Sequence, residues 1–168
     1  ALDSAEKGAR HAESDINNSS VGYGGLPDEL GYVTLDACIM DSKGNAGSVA
    51  FLQNIKHPIS VARMVMEKTK HVMLVGEGAR KFAISNGFKE TNLLTEKSKS
   101  EWKKWLKKKR KLTPHETHDT LSILVQDDKG DISGACTTSG YAFKMHGRVG
   151  DSPIIGAGLY VDNDIGCA

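Results

Sequence analysis

The tripeptide His118-Asp119-Thr120 is the part of this sequence whose residue types could do unusual chemistry. A threonine in mid-chain has a hydroxyl but no base of its own. If the Asp119–Thr120 bond is cut, Thr120 carries a hydroxyl nucleophile beside a free α-amine. That amine has an ordinary pKa of about 7.7–8.0, so near neutral pH it can take the proton of its own hydroxyl. Read without its neighbours, the tripeptide also fits a polar turn ahead of a strand. Gly22-Tyr23-Gly24-Gly25 is a second candidate, a loop whose backbone is permissive enough to approach a ligand closely. An ordinary surface turn is its alternative reading.

The composition sets bounds on both. At 168 residues the chain is long enough for one domain with a real core. Its 22 basic and 21 acidic residues leave a formal charge of +1, so no global field points to nucleic acid or to a membrane surface. No apolar run approaches the roughly 20 residues of a membrane-spanning helix. Ala1-Leu2-Asp3-Ser4 lacks the charged and apolar regions of a signal peptide, and the start without Met reads as mid-helix, as though an earlier segment were missing. Cys38, Cys136 and Cys167 are an odd, widely spaced set with no metal-type spacing. They predict neither a disulfide framework nor a metal site, and Cys38 and Cys136 read as buried thiols in strands.

Elements that could position Thr120 follow from periodicity. Ala1, Leu2, Ala5, Ala9 and Ala12 recur at helical spacing to about residue 14. Asn17 and Asn18 begin two overlapping glycosylation sequons in the loop that follows. Val33, Leu35, Ala37 and Ile39 alternate as a strand, and residues 47–52 pair back on it as a hairpin. Pro58 opens a helix bearing Ile59, Ala62, Val65 and Met66 on one face. Residues 72–75 read as a short strand, and residues 76–86 as a helix closed by Gly87. Ser98 and Glu101 predict a capping box for a helix through Trp102, Trp105 and Leu106. That helix ends in the basic run Lys107-Lys108-Lys109-Arg110-Lys111, which suits a helix C-terminus; a short nucleic-acid patch is the alternative. Residues 113–117 read as an exposed linker. Leu121, Ile123 and Val125 alternate as a strand, residues 132–138 return antiparallel after the Asp127-Asp128-Lys129-Gly130 turn, and residues 156–161 read as a further strand.

Several blocks extend the Thr120 signal. Gly134-Ala135-Cys136-Thr137-Thr138-Ser139-Gly140 and His146-Gly147-Arg148-Val149-Gly150-Asp151-Ser152-Pro153 follow it. Ser20-Val21-Gly22-Tyr23-Gly24-Gly25 and Thr34-Leu35-Asp36-Ala37-Cys38-Ile39-Met40-Asp41 precede it. Together, in this order and over essentially the whole chain, they resemble the glycosylasparaginase (aspartylglucosaminidase) family of N-terminal-nucleophile hydrolases. The resemblance implies an α+β fold, the four-layer αββα sandwich. It implies that the first strand and the C-terminal part lie outside these residues. Residues 1–119 would then be the alpha-subunit part of a single domain and residues 120–168 the start of the beta-subunit.

The resemblance also assigns roles. Thr120 is the nucleophile, Thr138 hydrogen-bonds near it, and Ser20 lies beside it. His118, Asp119 and Thr120 form the autoproteolytic site, with the Asp119 carboxylate as a local base and His118 orienting it. Arg148 can grip a substrate α-carboxylate through two parallel N–H bonds, and Asp151 can accept the α-ammonium. Opposite charges three positions apart suit a zwitterion; an internal Arg148–Asp151 ion pair is the alternative without that context. The implied substrate is N4-(beta-N-acetylglucosaminyl)-L-asparagine, hydrolysed to release L-aspartate in glycoprotein degradation, with no cofactor. An alpha/beta heterodimer, paired with a second one, is the implied assembly. A lysosome, or the periplasm of a bacterium, is the implied location. An isoaspartyl peptidase or asparaginase of the same superfamily remains the second reading, and a truncated non-enzymatic product the third. One departure stands out: Ser122 occupies a position where the family usually has glycine, so a Cβ could crowd the turn to be cut.

Overall fold

In the computed structural model, residues 1–108 and 120–168 are described. Helix α1 (Leu2–Ser14) turns its alanine face inward, and Ala5 and Ala9 are fully buried. Strands β1 (Thr34–Met40) and β2 (Ala46–Gln53) form a hairpin closed by Asp41, whose carboxylate accepts the N–H groups of Lys43 and Asn45. Helix α2 (Pro58–Lys68) starts on the proline, where the missing N–H costs nothing. Strand β3 (Met73–Val75) leads straight into α3 (Gly76–Ser85), which ends on Gly87 at φ 89°. Helix α4 (Glu96–Lys107) is followed by β4 (Leu121–Gln126), β5 (Ile132–Thr138), and the short pair β6 (Val161–Asp162) and β7 (Gly166–Cys167).

The main sheet has five strands in the order β3-β2-β1-β5-β4. Only the β2–β3 pair is parallel, so the fold is α+β with a mixed sheet. Alternation divides the two faces. Ala37, Ile39, Val49, Ala135 and Ile123 point to α1, α2 and α3, where the larger core forms. Cys38, Met40 and Cys136 point the other way, and Leu159 and Val161 cover them. Strand β1 is therefore buried at every position, as expected of a central strand with both faces covered.

Two expectations need correction. The cap of α4 is Thr95, whose side chain accepts the Ser98 N–H at 3.1 Å, so the helix begins earlier than a Ser98–Glu101 box implies. Ser98 lies inside the first turn, and its hydroxyl is diverted to the Gly24 carbonyl at 2.9 Å. The second concerns residues 156–161. Backbone reversal around Gly156 (φ 87°), with turns before and after it, leaves one isolated bridge, Ile155–Leu159, and a strand only at Val161–Asp162. The readings of residues 109–119, including the end of the basic run, the linker, His118 and Asp119, lie outside the described residues.

One buried carboxylate joins the layers. Glu13 on α1 has no exposed surface, and its Oε1 accepts the Ile59 N–H at 3.1 Å and the Thr137 hydroxyl at 2.8 Å. Its Oε2 meets His57 Nδ1 at 3.2 Å. Burial pushes the Glu13 carboxyl above its ordinary value of 4.5, and the hydrogen bonds from His57 and Thr137 only partly oppose this. Between 4.5 and that raised value the unfolded chain gives up a proton that the folded chain keeps. Stability from this group is thus full below pH 4.5 and is lost as pH rises through the window. Glu13→Gln keeps an oxygen for Ile59 and Thr137 but cannot ionise. Urea midpoints taken from pH 4 to 7 (about one unit apart) should fall less with pH in this variant than in the unaltered protein.

Candidate functional site

The site grows from the sheet face turned away from the helices. Strand β4 pairs with β5 so that Leu121 faces Thr137 and Ser122 faces Cys136. One step further along this register brings Thr120 level with Thr138, on the same face as Ser122 and Cys136. Thr120 is exposed, and its Oγ1 lies 3.2 Å from the Ser152 hydroxyl oxygen. Ser152 is buried and adjoins the exposed Asp151. Thr120 thus meets the residue that directly follows Asp151.

At the end of β5 the chain turns back over the sheet. The Gly140 N–H donates to the Thr138 hydroxyl oxygen at 2.9 Å, and the Thr138 hydroxyl reaches the Ser20 carbonyl at 3.5 Å. Ser139 donates its N–H to that same carbonyl at 2.7 Å. Ser20 therefore joins the site through its main chain. It is carried there because Gly22, at φ 64°, lies flat against Glu13 on α1; a Cβ at Gly22 would come 2.4 Å from the Glu13 backbone.

Arg148 closes the group from above. Its guanidinium lies 4.1 Å from the centroid of the Tyr141 ring, a cation–π contact. A Cβ built at Gly140 would sit 3.3 Å from Arg148 Nη1 and 2.7 Å from Lys144 Nζ, so both cations crowd beneath this turn. The sequence-predicted residues Thr120, Thr138, Ser20, Arg148 and Asp151 thus converge on one end of the sheet. His118 and Asp119 lie outside the described residues. Ser122 stands in β4, exposed and opposite Cys136.

Sequence reasoning overlooked the support beneath this loop. Lys144 is buried, donates from Nζ to the Ser139 carbonyl at 3.0 Å, and lies 4.0 Å from Asp36 Oδ2 on β1. Asp36 is fully buried, and its other oxygen accepts the Phe51 N–H at 2.7 Å. Phe51 is held at φ 53°, where the β1–β2 register shifts, and its ring meets His146 edge-on. His146 Nδ1 is 2.6 Å from the buried Asp28, which also fastens the N–H groups of Leu30 and Tyr32. Burial raises the Asp36 carboxyl, and burial lowers the Lys144 ammonium; each ion opposes the shift of the other. The clue available from sequence was an acid in a strand that is otherwise apolar or small.

Among the described residues no group of three or more His, Cys, Asp or Glu is arranged to hold a metal ion. The Cys136 thiol is drawn below its ordinary value by the adjacent Cys38 thiol, its partner across the β1–β5 ladder, with the Ser122 and Ser152 hydroxyls contributing. What the arrangement offers is an exposed threonine hydroxyl beside that of Ser152, with Arg148 and the exposed Asp151 in the same loop.

Comparison with known proteins gives a consistent result. The family model described as Asparaginase matches residues 1–168. The chain is 63% identical over 170 residues to N(4)-(Beta-N-acetylglucosaminyl)-L-asparaginase of Elizabethkingia miricola, covering 100% of this chain and 50% of that one. It is 38% identical over 201 residues to the protein of the same name from Rattus norvegicus, covering 100% and 58%. A putative N(4)-(beta-N-acetylglucosaminyl)-L-asparaginase of Drosophila grimshawi is 40% identical over 187 residues, covering 89% and 48%. The chain spans about half the length of the curated relatives it matches.

The Asp36–Lys144 pair makes a separate prediction. Lys144→Met strands a buried carboxylate and should destabilise the protein by about 3–5 kcal/mol. Combining it with Asp36→Asn, which removes the charge, should restore most of that loss in urea unfolding.

Proposed function

The chain belongs to the asparaginase family, and from that membership we propose that its parent protein is a threonine N-terminal-nucleophile amidohydrolase. The proposed substrate is N4-(beta-N-acetylglucosaminyl)-L-asparagine, as the names of its relatives suggest. The observation that carries this reading is the meeting of Thr120 with Ser152, next to Asp151, while Thr138 and Arg148 lie around the same strand end.

Two reactions share the nucleophile. First, the Thr120 oxygen attacks the carbonyl carbon of Asp119 and loses its proton to a local base, the Asp119 carboxylate. The peptide nitrogen takes up a proton as the C–N bond breaks, which completes an N-to-O acyl shift. Water then hydrolyses the ester, leaving a new carboxylate on Asp119 and a free amine on Thr120. His118 orients the bond to be cut. In the second reaction that amine receives the hydroxyl proton while Thr120 attacks the side-chain amide of the substrate. The glycosylamine leaves with a proton, and water releases L-aspartate from the acyl-enzyme.

Arg148 binds the α-carboxylate and Asp151 the α-ammonium. The Tyr141 ring holds the guanidinium plane, so less side-chain freedom is lost when ligand binds. Thr138 and the Ser20 segment flank the reacting oxygen. In this reading residues 1–119 supply an alpha-subunit part and residues 120–168 the start of a beta-subunit. The mixed sheet and the helices packed on it are one αβ half of an αββα sandwich in an alpha/beta heterodimer that itself pairs. The compartment is the lysosome, or a bacterial periplasm.

Two expected outcomes follow for the protein at the length of its relatives. Thr120→Ala should remain a single uncut chain by intact mass after days at neutral pH, whereas the unaltered protein yields a fragment beginning at Thr120. A cut Thr120→Ala protein would refute the assignment. Arg148→Ala should raise KM for glycosyl-asparagine by about tenfold or more, a charged hydrogen-bonded pair being worth roughly 1.5–3 kcal/mol. Aspartate release measured over a substrate series checks this.

A further inference from the structure

We propose that Ser152 is a further catalytic residue, whose hydroxyl donates a hydrogen bond to the Thr120 oxygen and sets the direction of nucleophilic attack. This rests on the reading of Thr120 as the nucleophile. The carrying observation is geometric: Ser152 Oγ lies 3.2 Å from Thr120 Oγ1, within reach of a hydrogen bond.

What distinguishes Ser152 from an incidental neighbour is how firmly it is held. Its carbonyl accepts the Cys38 thiol of β1 at 3.1 Å. The next carbonyl, that of Pro153, accepts the Ser48 hydroxyl of β2. Two successive peptide groups are thus fastened to two adjacent central strands, while Gly158 lies against the Ser152 backbone from the other side. Ser152 is only 2% exposed, whereas Thr120 is exposed at the start of an edge strand. A fixed hydroxyl therefore stands against a freer one. Pre-organisation of this kind raises the fraction of time in which the attacking oxygen is correctly placed.

The direction of the hydrogen bond follows from the chemistry Thr120 must do. Ser152 has one proton to give and two lone pairs to offer. By donating to one lone pair of the Thr120 oxygen, it leaves the Thr120 proton free for the base that takes it and another lone pair free for a carbonyl carbon. In the proposed reading Arg148 and Asp151 hold the substrate, whereas the Ser152 hydroxyl meets the nucleophile, so its loss should be felt in turnover and not in binding.

The test uses the protein at the length of its relatives, with Ser152→Ala, Ser152→Cys and Thr120→Ala prepared in parallel. Ser152→Ala leaves both anchoring carbonyls in place. It should slow the appearance of the Thr120 fragment and lower kcat for aspartate release about tenfold, with KM unchanged. Ser152→Cys, which keeps a weaker donor at the same point, should lie between Ser152→Ala and the unaltered protein. It also serves as the test if the alanine variant does not fold. Ser152→Ala cleavage and kcat within twofold of the unaltered protein would overturn the proposal. So would a rise in KM at constant kcat, or a cysteine variant no better than alanine. Cleavage of Thr120→Ala would instead overturn the nucleophile assignment itself, so the two failures are distinguishable.

Discussion

The carboxylate of Glu13 is the constraint on which the rest of this structure depends. It is an acid with no access to water, and so every one of its acceptor sites must be met from within the fold. Three elements are drawn to it: the N-terminus of α2 through Ile59, His57 just before that helix, and β5 through Thr137. The same residue leaves its backbone bare enough for Gly22 to lie against it, which brings Ser20 over the end of β5. Helix, sheet and site loop are thereby referenced to one side chain. A packed apolar contact would tolerate sliding by a fraction of a residue; these hydrogen bonds do not.

The pleat of β5 then separates support from chemistry. Thr137 faces the helices and holds the sheet to Glu13, while its neighbours Cys136 and Thr138 face the site. A second buried acid, Asp36, performs the matching task on that other face. It secures the N–H of Phe51 in a left-handed backbone conformation, which costs of order 1–3 kcal/mol without such support. Its partner Lys144 holds the Ser139 carbonyl, and hence the turn that presents Thr138 and Gly140. Positive charge is plentiful here, from both Lys144 and Arg148, and both act on the buried Asp36 carboxylate, Lys144 the more strongly. The Arg148 guanidinium lies over the Tyr141 ring.

Elements with strong local periodicity were legible in the sequence. The alanine stripe of α1, the proline start of α2 and the alternation of β1, β4 and β5 all have local causes. The α4 cap was misplaced because Ser98 has the right chemistry for a cap but gives its hydroxyl to Gly24, a contact between residues 74 positions apart. Residues 156–161 carry apolar side chains at strand-like spacing, yet their glycines bend the backbone through turns. In the site, Thr120, Thr138, Arg148 and Asp151 were named because their blocks resemble a known family. Asp36, Lys144 and Ser152 were present in or near those blocks, but their importance arises from burial and from partners distant in sequence. No spacing rule exposes a lysine 108 positions from its counter-ion.

The strand order has a consequence for a chain broken before Thr120. The residues before the break contribute β3, β2 and β1, and those after it contribute β5 and β4. The seam between the two pieces would therefore run down the middle of the sheet, along the β1–β5 ladder from Asp36–Thr138 to Met40–Gly134. The second piece is clamped on its helix face by α1, through Thr137 and Ile123, so it is not a removable flap. Separating the pieces means opening a central ladder and exposing core on both faces. In physical terms the two would behave as complementing fragments of one domain, losing their connecting bond while remaining a single cooperative unit.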